Sequence, residues 1–380
     1  MKILQINASY KPAYIYGGPT MSVAKLSEQL TKANCTVTVF TTTANGNTEL
    51  TVSPGIETPV DGVSVTYFKR ITKDHSHLSP GLLISLWKNA RTFDVIHIHA
   101  WWNLVSVLSA WIGLIRKVPV VISPRGTLSA YSFTNKNNLI KKIIHNLLGK
   151  RLLNGSFLHA TSLAEQQALA EIIKPRAIFD IPNFVKIISS SRKRKSGGPI
   201  LKLLFLSRIE EKKGLDILLH ALPLLNIPYH LTIAGDGDEN YINVLKNIAH
   251  YNLSDDNISW IGFQNDSKFD VFTDHDLLVL PSYNENFGNV VIESLSAGTA
   301  VLISGQVGLA DYVVNNQLGW LCQTTPQSVS NAINDIAIQP DKLADISLKA
   351  PAIIHRDFDD DQLVKKYINM YQQIINHVRL

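Results

Sequence analysis

The sequence predicts an α/β protein made of two doubly wound domains. Short, almost wholly apolar runs alternate with helical patterns along the chain, and the alternation breaks once at a polar, basic stretch before restarting. Parallel strands buried on both faces and joined by crossover helices give this rhythm. At 380 residues the chain also exceeds what one core usually holds.

The first half offers strands at 2–7, 36–41, 94–99, 119–124, 157–161 and 177–182, with helices near 20–33, 80–91, 103–115, 137–153 and 162–172. Segment 50–69, punctuated by Gly and Pro, reads as a local excursion of short strands. The stretch "SSSRKRKSGGP" (189–199) reads as a linker. Beyond it, strands are expected at 201–207, 229–235, 258–263, 277–281 and 300–304, and helices at 214–222, 239–250, 288–297 and 326–338. The last pattern, 360–378, is amphipathic and follows no new strand, so it is expected to pack back on the first domain. The expected division is 1–185, a linker over 186–199, a second domain over 200–356, and a returning helix over 357–380. Two such domains facing each other enclose a cleft at the carboxyl ends of their strands, where open α/β sheets bind ligands.

Composition is that of a soluble globular protein, 45% apolar and 18% charged. Cys35 and Cys322 form no metal-ligand pattern and suggest no disulfide scaffold. The N-terminus reads as a strand, and the longest uncharged stretch, 100–115, is shorter than a membrane span, so a cytoplasmic location is expected. The net charge of +5 hides an asymmetry: residues 1–198 carry 24 Lys/Arg against 9 Asp/Glu, and residues 199–380 carry 12 against 22. The basic half could face an anionic surface. Nucleic acid is not an expected partner, because no recognition motif accompanies the charge and the acidic half opposes a continuous backbone track.

The chemistry concentrates in "NENFGNVVIESLSAG" (284–298). A helix starting close to Gly288 offers unpaired backbone N–H groups and a positive dipole end to a diphosphate. Gly288 lets a ligand approach the backbone. Glu293, about one and a half turns inside, suits paired hydroxyls such as those of a ribose. Glu285, just outside, suits a sugar beyond the phosphates. Taken alone, both glutamates are more often ordinary solvated residues. "FLSRIEEKKG" (205–214) adds Arg208 and Lys213 at the same sheet edge, cations where a phosphate leaving group develops charge.

These blocks, with "IAGDGDE" (233–239), "GGPT" (17–20), "DVIHIHAWW" (94–102), "LHATSLAE" (158–165) and "IPNFV" (181–185), resemble the retaining nucleotide-sugar glycosyltransferases of family 4, also called group 1, over nearly the whole chain. The resemblance implies the GT-B fold: two Rossmann-like domains facing across a cleft, with a C-terminal helix returning to the first. It implies that Arg208 and Lys213 grip the donor diphosphate and that Glu293 holds ribose hydroxyls. Glu285 lies beside the transferred sugar, with Phe287, Gly288 and Asn289 around it. Gly17 and Gly18 bring backbone to the phosphate, and Gly235 and Gly237 shape the turn towards the base. The resemblance tilts the expected donor towards a UDP-sugar, with a GDP-sugar next. The resemblance favours front-face attack, with the departing phosphate helping to take the acceptor proton, and requires no metal or other cofactor. The Asp-x-Asp strings "DGD" (236–238) and "DHD" (274–276) read otherwise, the first as part of the glycine turn and the second as the start of the strand before Glu285, so neither is taken as a metal-binding motif.

In the first domain, "ISPRGTLS" (122–129) places Arg125 where the family often has a His. An Arg cannot act as a neutral base; it could grip a phosphate of acceptor or donor. His99 is the nearest alternative, and one of His97 and His99 is expected simply to pack or hydrogen-bond. Trp101 and Trp102 could stack on an acceptor sugar or fill the core. The basic amphipathic pattern 137–154 would suit an anionic membrane surface and a lipid-linked saccharide acceptor. The "SPRG" variant resembles bacterial members that build capsule, O-antigen or exopolysaccharide. Competing readings are a phosphorylase, a nucleotide-sugar epimerase, or a non-catalytic nucleotide-sugar-binding subunit.

Overall fold

The computed structural model describes residues 1–128, 148–188, 199–252, 257–264 and 267–379. They divide into two compact units, Met1–Phe184 with Asp360–Leu380, and Val185–Asp359.

In the first unit the elements run β1 (Lys2–Ile6), α1 (Gly18–Lys32), β2 (Thr36–Thr42), a two-stranded excursion β3 (Ala44–Asn45) and β4 (Thr48–Glu49), β5 (Glu57–Val60), β6 (Val63–Phe68), α2 (Pro80–Asn89), β7 (Val95–His99), α3 (Leu104–Ile115), β8 (Val120–Ser123), α4 (Lys150–Gly155), β9 (Phe157–Ala160), α5 (Leu163–Ile172) and β10 (Ile178–Asp180). Among the described residues the main sheet has the order β10-β9-β8-β7-β1-β2-β6-β5. Every pairing in it is parallel except β5 with β6. The segment expected as a local excursion therefore contributes β6 to the main sheet, because "VSVTYF" extends the parallel ladder of β2. Both faces are covered. Ile3, Val37, Val39 and Val95 pack with α1, whereas Leu4, Ile6, Ile96 and Ile98 pack with α2 and α3. Strand side chains alternate between faces, so covering both faces calls for apolar residues at consecutive positions, as at Ile3 and Leu4 or Val95 and Ile96.

The last helix of the chain, Asp360–Arg379, belongs to this unit. Its Leu363, Tyr367, Met370, Tyr371 and Ile374 join the α1 side of the core. Leu363 and Ile374 are fully buried, each contributing about 1.5–3 kcal/mol. Asp360 at its start accepts from Lys25 and Gln29 on α1 at 2.8 and 3.0 Å.

The second unit runs β11 (Leu201–Leu206), α6 (Leu215–Ala221), β12 (Tyr229–Ala234), α7 (Glu239–Asn252), β13 (Ile258–Gly262), α8 (Lys268–Thr273), β14 (Leu277–Leu280), α9 (Asn289–Ser296), β15 (Ala300–Ser304), α10 (Ala310–Asn315), β16 (Gly319–Cys322), α11 (Pro326–Ala337) and α12 (Pro340–Asp357), and the chain's last helix is α13. Its sheet, β13-β12-β11-β14-β15-β16, is wholly parallel. β16, α8, α10 and α12 were not anticipated; α12 buries Leu343, Ile346, Ala350 and Ile354 along one stripe despite an internal Pro351. The basic pattern over 137–154 is described only from residue 148 onward. Its residues 137–147, including Lys141 and Lys142, and the linker residues 189–198 lie outside the described residues. No described helix is long and apolar enough to cross a membrane.

Candidate active site

In the second unit β11 has β12 on one side and β14 on the other. The connections leaving these neighbours diverge, and a crevice opens where strand order reverses in this way. Loops after β11 and β14 supply the predicted chemistry. They touch backbone to backbone: at Gly214 (φ +72°) a Cβ would lie 2.2 Å from the Pro281 carbonyl oxygen, and the Tyr283 N–H donates to the Lys212 carbonyl at 2.9 Å. Only glycine fits there.

That contact delivers Lys213 to Glu285, and the two form an ion pair in which Lys213 Nζ donates to Glu285 Oε2. The Glu285 backbone is fixed on both sides, its N–H donating to Gln306 at 3.1 Å and its carbonyl accepting from Gly308 at 2.8 Å. Burial would raise the Glu285 carboxyl, but Lys213, aided by Lys212 and Arg208, holds it below the usual carboxylate range. Glu285 is therefore an acceptor at neutral pH. Arg208, whose side chain is 43% exposed, pairs with Glu210 at 2.6 Å. A guanidinium has five N–H donors, so this pairing leaves others to offer.

Three residues beyond Glu285, Gly288 adopts φ +91° and begins α9 without a side-chain cap. A Cβ there would sit 3.0 Å from Val307. Phe287 turns its ring into the core, edge-on to Phe358 at 6.3 Å, so its backbone is the part left on the loop. Asn289 opens the helix. Glu293, the fifth residue of α9, pairs with Lys268, the first residue of α8. Sequence reasoning missed Lys268 because α8 was not anticipated.

Gly235 and Gly237 follow β12. Added Cβ atoms would lie 1.9 Å from the Ser207 carbonyl oxygen and 2.1 Å from that of Ile209. These glycines hold the β12 turn against the Arg208 loop, with the Ile209 N–H donating to Asp236 at 2.8 Å. Asp236 accepts from Gly237 N–H at 2.8 Å, and Asp238 from Tyr241 N–H at 3.1 Å; both are turn residues.

In the first unit β1 lies between β2 and β7, which sets a second reversal point. Gly17 (φ +62°) is the cap residue of α1 and Gly18 its first residue. His99 ends β7, and Arg125 follows β8. Arg125 occupies left-handed backbone, φ +53°, a conformation that costs a non-glycine residue about 1–2 kcal/mol. Its side chain is held firmly: Nη1 donates to Ser22 at 2.8 Å and Asn183 at 2.7 Å, and Nε donates to His99 Nδ1 at 3.3 Å. Glu165, unremarked in the sequence, is the neighbouring anion. Its carboxylate accepts from the Gly126 and Thr161 N–H groups at 2.7 and 2.8 Å. The Ser-x-x-Glu spacing of a helix-capping box (Ser162, Glu165) was the available signal.

His97 and His99 are two residues apart and share a face, with rings 4.2 Å apart. Burial pushes both well below the ordinary imidazole range. Trp101 is fully buried and fills the core; Trp102 donates to the Thr127 carbonyl.

The fold and these two sets of loop residues define a nucleotide-sugar glycosyltransferase of GT-B architecture. The family model for glycosyl transferases group 1 matches residues 189–352 and that for glycosyltransferase family 4 matches residues 16–187; the chain belongs to this family. Glycogen synthase of Mycobacterium tuberculosis is 25% identical over 94% of this chain and 91% of its own. D-inositol 3-phosphate glycosyltransferase of Pseudarthrobacter chlorophenolicus is 24% identical over 80% and 78%. Sucrose-phosphate synthase from Thermosynechococcus elongatus superposes with a TM-score of 0.78 at 19% identity, covering 99% of this chain and 100% of that one. Anabaena HepE in complex with UDP and glucose gives 0.76 at 21% identity, with 98% and 100% coverage.

Proposed function

We propose that this enzyme transfers a sugar from a UDP-sugar to a saccharide hydroxyl with retention of anomeric configuration, a GDP-sugar being the next candidate donor. The carrying observation is the Lys213–Glu285 ion pair beside the uncapped start of α9. An ammonium has three donors, so Lys213 engages Glu285 with one and keeps others for phosphate oxygens. Arg208 adds a second cation on the same loop. Together with the α9 dipole, these groups favour charge developing on the departing diphosphate. Glu285, held ionised, accepts from a hydroxyl of the transferred sugar, and Glu293 accepts from the ribose. Gly235 and Gly237 set the turn towards the base.

On this reading the acceptor attacks the face from which the diphosphate leaves. The acceptor O–H bond breaks as the new glycosidic C–O bond forms, and the proton passes to the leaving phosphate. Arg125 and His99 serve the first unit's side of the reaction, Arg125 by gripping an anionic or hydroxyl group. Gly17 and Gly18 bring backbone close to the donor phosphate, although the Gly17 N–H itself donates to the Tyr14 carbonyl at 2.9 Å. The UDP-containing HepE complexes favour uridine among the bases.

A lipid-linked saccharide in cell-surface polysaccharide synthesis is the acceptor class we favour. The basic first half supports it, with no Asp or Glu between residues 95 and 164, a composition suited to an anionic membrane. The test is a donor screen, UDP- and GDP-sugars against lipid-linked and free saccharides, with product linkage read by NMR. Retained configuration from a UDP-sugar supports the reading. An inverted product, or donor turnover that requires inorganic phosphate, overturns it.

A further inference from the structure

A continuous hydrogen-bonded chain crosses the interior of the first unit, starting at Arg125. Arg125 Nε donates to His99 Nδ1, and His99 Nε2 meets Gln5 Oε1 at 2.7 Å. Gln5 Nε2 donates to the Tyr371 hydroxyl at 3.2 Å, which meets His97 Nδ1 at 2.7 Å. His97 Nε2 meets Ser123 Oγ at 2.6 Å, and Ser123 Oγ meets His159 Nδ1 at 2.5 Å. His159 Nε2 ends the chain on the Ile181 carbonyl at 2.8 Å. Gln5, His97, His99, Ser123, His159 and Tyr371 are all fully buried.

The two ends fix the direction of every proton between them. A guanidinium can only donate and a backbone carbonyl can only accept. His159 therefore carries its proton on Nε2 and accepts on Nδ1 from Ser123. Ser123 accepts from His97 Nε2, His97 Nδ1 accepts from Tyr371, and Tyr371 accepts from Gln5. The Gln5 carbonyl then receives a proton from His99 Nε2, which leaves the His99 Nδ1 lone pair facing Arg125. One ordering satisfies all seven contacts with three neutral rings. Burial favours that neutrality, holding His159 down at about 3 and the other two well below the usual range.

We propose that Gln5 and Tyr371 are positioning residues for Arg125, acting by fixing His99 as its Nε2–H tautomer. The phenol reaches the sheet from the last helix of the chain, so that helix sets the orientation of a site group as well as covering a core face. Without the Tyr371 hydroxyl, the Gln5 amide is held in this sense from one side only, by His99 and the Arg125 donor behind it. If it flips, it presents N–H to His99 Nε2, the ring proton moves to Nδ1, and two donors then face each other at Arg125. The consequence for catalysis rests on the proposed role of Arg125, whereas the tautomer itself does not.

The experiment uses the full chain labelled with 15N-histidine. Ring 15N shifts report the protonated nitrogen of His99 in wild type and in Tyr371→Phe and Tyr367→Phe, alongside kinetics. Tyr367 is the control: it lies on the same helix, and its hydroxyl contacts His159 and the Pro182 carbonyl, each at 3.2 Å, off the path to His99. We expect His99 Nε2–H in wild type and in Tyr367→Phe. In Tyr371→Phe we expect a mixed tautomer, an acceptor KM raised or kcat lowered about tenfold, and an unchanged donor KM. A wild-type His99 protonated on Nδ1 overturns the proposal even if Tyr371→Phe fails to fold. Equal kinetic losses in the two variants, or an unchanged His99 tautomer in Tyr371→Phe, also overturn it. Absence of transfer from any donor by wild type would count against the proposed function and leave the tautomer measurement to stand alone.

Discussion

Replacing Lys213 by alanine tests the donor side most sharply, because one deletion has two separable effects. The first is kinetic. Lys213 Nζ is tied to Glu285 and is assigned to the departing phosphate. Removing one pre-positioned donor from a developing anion typically costs about 3–4 kcal/mol, or roughly 10²- to 10³-fold in kcat. The second is electrostatic. Burial is the largest influence on the Glu285 carboxyl and pushes it up, and Lys213 is the main opposing one. In wild type the folded value is depressed, so its stabilising contribution is present above the unfolded value, about 4.3, and is lost as pH falls through the folded value. In Lys213→Ala only Lys212 and Arg208 oppose burial, and the carboxyl rises above its ordinary value. The variant then loses stability as pH climbs from about 4 towards neutrality. Thermal unfolding across that range, paired with initial rates of sugar transfer, reads both effects. A gap in Tm that widens with pH and a large fall in kcat/KM are expected. Unchanged turnover, or a gap independent of pH, would refute the reasoning.

Arg208→Ala should separate chemistry from stability. Its pair with Glu210 is exposed and worth about 1 kcal/mol or less, so we expect a nearly unchanged Tm and a ten- to hundredfold lower kcat. Gly288→Ala forces a side chain into φ +91° against Val307; a loss above about 1 kcal/mol of stability and weaker UDP binding by calorimetry are expected. Because fixed cations are assigned the charge-stabilising role, dialysis against EDTA should leave the transfer rate within about twofold; a rate abolished by EDTA and restored by a divalent ion would contradict that assignment.

The parallel strands were legible because runs such as "LLVL" and "AVLI" are apolar on both faces, and their buried position matches that pattern. β6 was misplaced, since nothing in a six-residue segment says which neighbour it will pair with. α12 escaped notice because Pro351 interrupts its pattern, and β16 because "GWLC" has only four residues. The loop at Glu285 could be read because Gly288 and the following apolar helix punctuate it. Lys268, Gln5 and Tyr371 could not: each gains its meaning from a partner on a distant element, and pairing of that kind leaves no local periodicity.

The central claim is that one diphosphate lies against Lys213, Arg208 and the first turn of α9. A crystal structure with an intact UDP-sugar, or with a non-transferable analogue, decides it. The account predicts diphosphate oxygens within hydrogen-bonding distance of Lys213 Nζ and the Arg208 guanidinium, with the sugar against Glu285. A donor bound with its phosphates away from those three groups would contradict it.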